Sequence, residues 1–240
     1  MKRKNSFLNI LYPRHCPWCH EILKNQRSLI CPECDRELVP IRGSRCMKCG
    51  HPVKEQEEFC GECLKRIHEF TAGCSVFLYN EGWKNSIERY KYFGCREYGD
   101  YYAACMSGLL KEKQKIWKVQ RIVPVPMYWR KERMRGFNQS WHLARMVGEQ
   151  LSIPADNQLV RKIRNTKSQK KLTAEERMQN LSRAFEARER IPGECVLVVD
   201  DMYTTGSTID AMAVCLRKAG AEKVYFLTLC MGVHPGGGEA

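Results

Sequence analysis

Eight of the fourteen cysteines in this 240-residue chain fall into four C-x-x-C pairs, and their spacing constrains the fold more than any other feature. The pairs are Cys16/Cys19, Cys31/Cys34, Cys46/Cys49 and Cys60/Cys63, separated by 11, 11 and 10 residues. A C-x-x-C turn can aim two thiolates at one ion about 2.3 Å away, and two such turns complete a tetrahedral set. One pair alone could be a redox motif. Four pairs within 48 residues point instead to two structural Zn²⁺ sites. Few large aliphatics lie between residues 12 and 63, so metal binding has to supply the folding energy of this segment. Four thiolates per ion leave no open position for water, which makes these sites structural and not catalytic. Ribbon-length loops favour sequential pairing of the turns, although spacing alone also allows crossed pairing. His15, His20 and His51 lie beside ligand cysteines, but the thiolate count is complete without them. The other six cysteines read as small buried apolar residues.

Charge is placed as unevenly as cysteine. The formal net charge is +13, and residues 111–177 hold 17 Lys/Arg against 6 Asp/Glu. Two Cys₄ zinc sites would bring residues 1–70 close to neutrality, so the basic signal belongs to the rest of the chain. Such a concentration suits an anionic partner, either phosphate or nucleic acid. The longest apolar runs, such as residues 196–199, have the length of a strand. No membrane insertion is therefore expected, the basic start is too short for a signal peptide, and a cytoplasmic location is expected.

From residue 71 onward the pattern becomes an alternation of strands and helices. Strands are predicted at 75–79, 121–126, 195–199 and 223–229. Helices are predicted at 83–93, at 98–112, along the face made by Leu143, Met146, Val147 and Leu151, and at 208–219. The expected fold class is α/β, a mainly parallel sheet flanked by helices. The expected domains are a double zinc ribbon over 1–70 and the α/β unit over 71–240.

The strongest chemical signal runs through residues 196–208. A buried strand reaches Asp200 and Asp201, and a short loop containing Thr204, Thr205, Gly206, Ser207 and Thr208 then opens a helix. Backbone N–H groups and the dipole at a helix N-terminus hold phosphate. Gly206 permits close backbone approach, and the hydroxyls add donors. An acidic pair one loop away can accept hydrogen bonds from sugar hydroxyls, so the whole suits a ribose 5-phosphate. Taken separately, the acidic pair could be a metal site and the loop a plain helix cap.

This segment resembles the phosphoribosyl-pyrophosphate (PRPP) motif of type I phosphoribosyltransferases, and the ordered set of motifs along the chain resembles the ComF family. The set comprises the zinc-ribbon pairs, residues 122–126 with the basic run after them, and Arg135-Gly136-Phe137-Asn138-Gln139. It continues with Thr166, Gln169 and Leu172, then Arg177 and Asn180. The resemblance implies a type I phosphoribosyltransferase-like domain binding PRPP with Mg²⁺. Asp200 and Asp201 would contact the ribose and serve as the candidate catalytic residues, with residues 204–208 cradling the 5-phosphate. Arg130, Lys131, Arg133 and Arg135 are placed like a mobile loop facing pyrophosphate. It further implies single-stranded DNA as a partner during natural transformation, together with DNA-uptake helicase or channel components. Tyr128, Trp129, Phe137 and Trp141, interleaved with the cations, are candidate stacking platforms. No acceptor pocket is legible. Two readings follow: a DNA-handling accessory protein that uses PRPP as a ligand, or a transferase acting on an unidentified acceptor.

Overall fold

The computed structural model describes residues 12–164 and 184–233. Two short helices, α1 (Pro32–Glu37) and α2 (Gly61–Lys65), belong to the cysteine-rich segment. There follow β1 (Ala72–Leu78), α3 (Glu81–Tyr92), α4 (Tyr98–Trp117), β2 (Arg121–Pro124), α5 (Trp129–Arg135) and α6 (Gln139–Leu151). The chain continues through β3 (Val160–Lys162), β4 (Phe185–Ala187), β5 (Cys195–Tyr203), α7 (Ser207–Ala219) and β6 (Lys223–Met231). Four strands form one parallel sheet in the order β1-β6-β5-β2, while β3 and β4 pair antiparallel beside it.

Alternation along β5 explains the layering. Leu197 and Val199 join the cluster under α3, α4 and α6, whereas Val196 and Val198 join the one under α7. A strand buried on both faces carries apolar residues continuously, as 196–199 does. The predicted strands and helices are present with shifted ends. Two differences bear on the site. First, β5 does not stop at the acidic pair: Asp200 pairs with Thr228 and Tyr203 with Met231 of β6. Second, the basic segment expected as a loop is helix α5, closed by Gly136 at φ +82°. The β3–β4 pair was not anticipated, because three-residue strands are too short to show a period.

The cysteines settle into sequential sets, Cys16/Cys19/Cys31/Cys34 and Cys46/Cys49/Cys60/Cys63, with the sulfurs of each set within 4.8 Å of one another. Bonds of 2.3 Å in a tetrahedron require sulfurs about 3.8 Å apart. The Cys19–Cys31 and Cys49–Cys60 separations of 3.9 and 3.6 Å match that requirement. Both sets therefore fit Zn²⁺, and they form the two structural sites of a double zinc ribbon.

The two sites straddle edge strand β1. Around the first, Trp18 meets Trp83 of α3 edge-to-face at 5.2 Å, on one side of the sheet. Around the second, Cys46, Cys49, Cys60, Ile41 and Phe70 are buried in the cluster on the opposite side. Between them the Ile41 N–H donates to Val76 O at 2.8 Å and the Gly73 N–H donates to Lys48 O at 2.9 Å. The fit is close. A Cβ on Gly50, whose φ is +77°, would lie 2.7 Å from Gly73 O, and a Cβ on Gly73 would lie 2.0 Å from the Phe226 ring.

Because the second site is continuous with the core, stripping zinc should lower the unfolding midpoint of the whole chain, not merely fray the ribbon. The purified protein is expected to carry two zinc ions per chain by elemental analysis. Calorimetry that finds the main transition unmoved after chelation would contradict this view.

Candidate functional site

The carboxyl ends of β5 and β2 meet the N-terminal ends of α6 and α7, where ligands bind in open α/β sheets. Asn138 caps α6, its Oδ1 accepting from Ser140 N at 3.0 Å and Trp141 N at 3.3 Å. Its Nδ2 donates to Val125 O at 3.2 Å, which ties the helix start to the end of β2. That cap delivers the next two side chains to the acidic pair. Gln139 Nε2 donates to Asp201 Oδ1 at 3.0 Å, and Ser140 Oγ donates to Asp200 Oδ1 at 2.6 Å.

Lys91, in the last turn of α3, closes the group with Nζ 2.5 Å from Asp201 Oδ2. Burial opposes charge on this ammonium, but the Asp201 carboxylate and then Asp200 outweigh it, and its pKa is raised. The two acids divide accordingly. Asp201 is buried in the ion pair. Asp200, partly buried, is pushed up to about 7, first by desolvation and second by the Asp201 charge, against the pull of Ser140 and Lys91. Asp201 is thus engaged by Lys91, while Asp200 holds a proton that is exchangeable near neutral pH.

The loop beyond β5 places Thr204 and Thr205 at the exposed surface, with Ser207 and Thr208 half-buried. Gly206 holds φ +73° at the N-cap of α7. A Cβ there would come 2.6 Å from Tyr203 Oη and 3.1 Å from His68 Cε1, so both conformation and space require glycine. Thr205 Oγ1 and Ser207 Oγ lie 3.0 Å apart at the N-terminal end of α7, the end of a helix that favours anions.

Of the cations expected near this site, Arg135 is drawn into it. Its guanidinium donates to Gln139 Oε1 at 2.5 Å and to Tyr92 Oη at 2.8 Å, continuing the chain of contacts from Asp201. Arg130, Lys131 and Arg133 are exposed on α5. Among the candidate aromatic platforms, Trp129 is 56% exposed, whereas Phe137 packs edge-on against buried Tyr90 at 5.5 Å. A cleft of about 190 Å³ opens beside the end of β2, lined by Pro124, Pro126, Trp129, Trp141, Asn157 and Lys162 among others. Thr166, Gln169, Leu172, Arg177 and Asn180 lie outside the described residues.

Sequence reasoning missed Lys91 and Ser140 and assigned no role to Gln139. The Asn-Gln-Ser run at the start of an amphipathic helix was a readable cap signal for the last two. Nothing local distinguishes Lys91 from any lysine in a last helical turn.

One carboxyl of the ligand-free protein should titrate near 7. Lys91→Met should move it higher, because the cation that favours ionisation is gone. Carboxyl ¹³C NMR of aspartate-labelled protein reads both effects, and a midpoint near 4 would remove the division of roles. From about pH 4 to about 7 the folded chain keeps a proton that the unfolded chain has released. Stability should therefore fall as pH rises through that window.

Comparison with known proteins covers both halves of the chain. Residues 7–64 match the double zinc ribbon domain, and residues 140–237 match the phosphoribosyl transferase domain. The chain is similar to Competence protein F of Haemophilus influenzae, at 27% identity over 87% of this chain and 93% of that protein. It is similar to the DNA utilization protein YhgH of Salmonella typhimurium, at 31% identity over 91% of this chain and 97% of that one. Competence protein ComFC of Bacillus subtilis is 29% identical over 83% of each chain. With both domains in place and relatives aligned along most of its length, the chain belongs to the ComF family of double zinc ribbon, type I phosphoribosyltransferase-like proteins.

Proposed function

We propose that this protein binds PRPP with Mg²⁺ at the end of β5 and handles single-stranded DNA as an accessory to DNA uptake in natural transformation. The observation that carries the first half is the junction itself: an acidic pair, one residue of which titrates near neutrality, followed by a glycine-gated loop of hydroxyls at a helix N-terminus. In this reading Asp200 and Asp201 accept from the ribose hydroxyls, and residues 204–208 seat the 5-phosphate. Arg133 and Arg135 offset the charge of pyrophosphate, which Mg²⁺ shares. Lys91 offsets part of the repulsion that the two adjacent carboxyl groups exert on one another and on the anion they flank.

The DNA half rests on the names of the relatives and on the basic excess of residues 111–177. Exposed Arg130, Lys131 and Arg133, with Trp129 beside them, offer phosphate contacts and one stacking surface. A cytoplasmic location suits fourteen free cysteines, since a reducing compartment keeps thiolates available to metal. Among the described residues, no helix is long and apolar enough to cross a membrane. Partners from the DNA-uptake machinery, such as its helicase or channel components, belong to the same reading.

A second reading, transfer of phosphoribose to an acceptor, draws on the tryptophan-lined cleft beside β2. Lys162 there is depressed by burial and by Lys131, and it also lies within the electrostatic reach of Asp200. Flat aromatic walls beside a sugar site suit an acceptor with a planar ring.

Calorimetric titration of the zinc-loaded protein with PRPP and Mg²⁺ tests the shared premise. Saturable binding is expected, abolished in an Asp200→Asn/Asp201→Asn protein shown by circular dichroism to be folded at the titration temperature. A folded wild-type protein that takes up no PRPP refutes both readings. For DNA, affinity for an oligonucleotide should fall log-linearly with salt, by about 0.7 per phosphate neutralised. Lys131→Glu/Arg133→Glu should flatten that slope. Hydrolysis or transfer of PRPP on adding candidate planar acceptors would favour the second reading over the first.

A further inference from the structure

The phosphate loop is held from behind by the zinc ribbon. Helix α2 carries the ligand Cys63 and is capped at its C-terminus by Arg66, whose N–H donates to Glu62 O at 3.1 Å. From that position the Arg66 guanidinium reaches the loop at three points. Nη1 donates to Thr205 O at 3.2 Å and to Ser207 Oγ at 3.3 Å, while Nη2 lies 3.0 Å from Asp210 Oδ2. Two residues on, His68 Nδ1 lies 2.9 Å from the same carboxylate oxygen, and the Glu69 N–H donates to Asp210 Oδ1 at 2.9 Å.

Asp210 is fully buried in the first turn of α7, its own N–H bonded to Gly206 O at 2.8 Å. About two turns later, Arg217 donates to Glu69 O at 3.0 Å and to Thr71 Oγ1 at 3.3 Å. Phe70, buried between these contacts, meets Tyr203 and Phe226 edge-on at 6.2 and 4.9 Å. Residues 66–71 are thus bound along α7 from its cap to its last turn, and their upstream end is fixed by a zinc ligand three residues away.

A buried carboxylate directly behind an anion seat is a liability. Unneutralised, Asp210 would repel a phosphate at the loop and would also be costly to bury. Arg66 cancels that charge, His68 lies within hydrogen-bond distance of the same oxygen, and Arg66 additionally pins the Thr205 carbonyl. The Ser207-x-x-Asp210 spacing looks like an ordinary capping pair, yet Asp210 turns away from the cap toward the ribbon.

We propose that the second Cys₄ site is a positioning element for the phosphate loop: Arg66 and His68, held by that site, clamp Thr205, Ser207 and Asp210 in the conformation that receives a sugar phosphate. Metal occupancy of the ribbon thereby sets affinity at the α/β domain. The clamp is a property of the apo fold; only its consequence for affinity rests on the PRPP reading above.

The first test needs no ligand. Amide hydrogen exchange in full-length, zinc-loaded protein is followed at residues 204–212 and, as an internal reference, in α4. Arg66→Ala is expected to speed exchange in the first segment at least tenfold and leave α4 unchanged. Cys63→Ser should lower the zinc content to one per chain and speed exchange at 204–212 by at least tenfold more than in α4, which reads out any general loss of stability. Unaltered protection in a folded Arg66→Ala protein overturns the clamp. Faster exchange with Arg66→Ala but not with a folded, one-zinc Cys63→Ser protein overturns its dependence on metal. The second test is the affinity for ribose 5-phosphate, which engages the loop without the pyrophosphate cations. A loss of tenfold or more in Arg66→Ala, partly recovered in Arg66→Lys, is expected; equal affinity in Arg66→Ala and wild type overturns the proposal. If wild type binds neither ribose 5-phosphate nor PRPP, the PRPP reading fails, and the exchange data still decide the clamp.

Discussion

An edge strand of a parallel sheet needs cover on both faces and along its open side, and the way β1 obtains that cover organises the whole molecule. Its partner on one side is β6, the last of the described strands in chain order. On the other side lies a segment with too few apolar residues to fold alone. Metal-closed turns give that segment rigidity, and it then lays one knuckle on each face of the sheet and hydrogen-bonds the strand between them. The ribbon is therefore a sheathing element of the larger domain. Its two sites differ in consequence. Cys19 of the first is exposed, while Cys46, Cys49 and Cys60 of the second are buried in the second core cluster.

The same sheet poses an electrostatic problem at its carboxyl end. Asp200, Asp201 and Asp210 lie within ten residues and flank a loop suited to anions. Each is answered by a group from a different element: Ser140 of α6, Lys91 of α3, and Arg66 with His68 from the ribbon exit. None of these partners lies close in sequence to its acid. The site is thus a meeting point of three packing interfaces, and its charge balance depends on all of them being formed.

This dispersal explains what was legible in the sequence. The zinc ligands, the β5–α7 junction and the α/β alternation are local patterns of spacing and period, and they could be read directly. Lys91, Arg66 and His68 are informative only through partners 110, 144 and 142 residues away, so no window around them carries the signal. The basic run after Pro126 read as a loop because the resemblance to phosphoribosyltransferases implies a mobile segment there. Yet Gly136 closes a short helix over it, and Arg135 turns inward to Gln139. Asp210 was concealed differently. Its place three residues after Ser207 has the appearance of a routine cap, and burial alone reveals its other allegiance.

The pairing of β1 with β6 has a bearing on how the chain is made. Ala72 lies opposite Tyr225, and Phe70 and Gly73 pack on Phe226, so the ribbon and the first strand wait for nearly the entire chain before their principal contacts exist. At about 5–20 residues per second that delay is roughly ten to thirty seconds of translation. Zinc can close the knuckles soon after they emerge, long before the sheet can receive them. During that interval the metal would hold a nascent segment that has no core of its own until β6 is available to receive it.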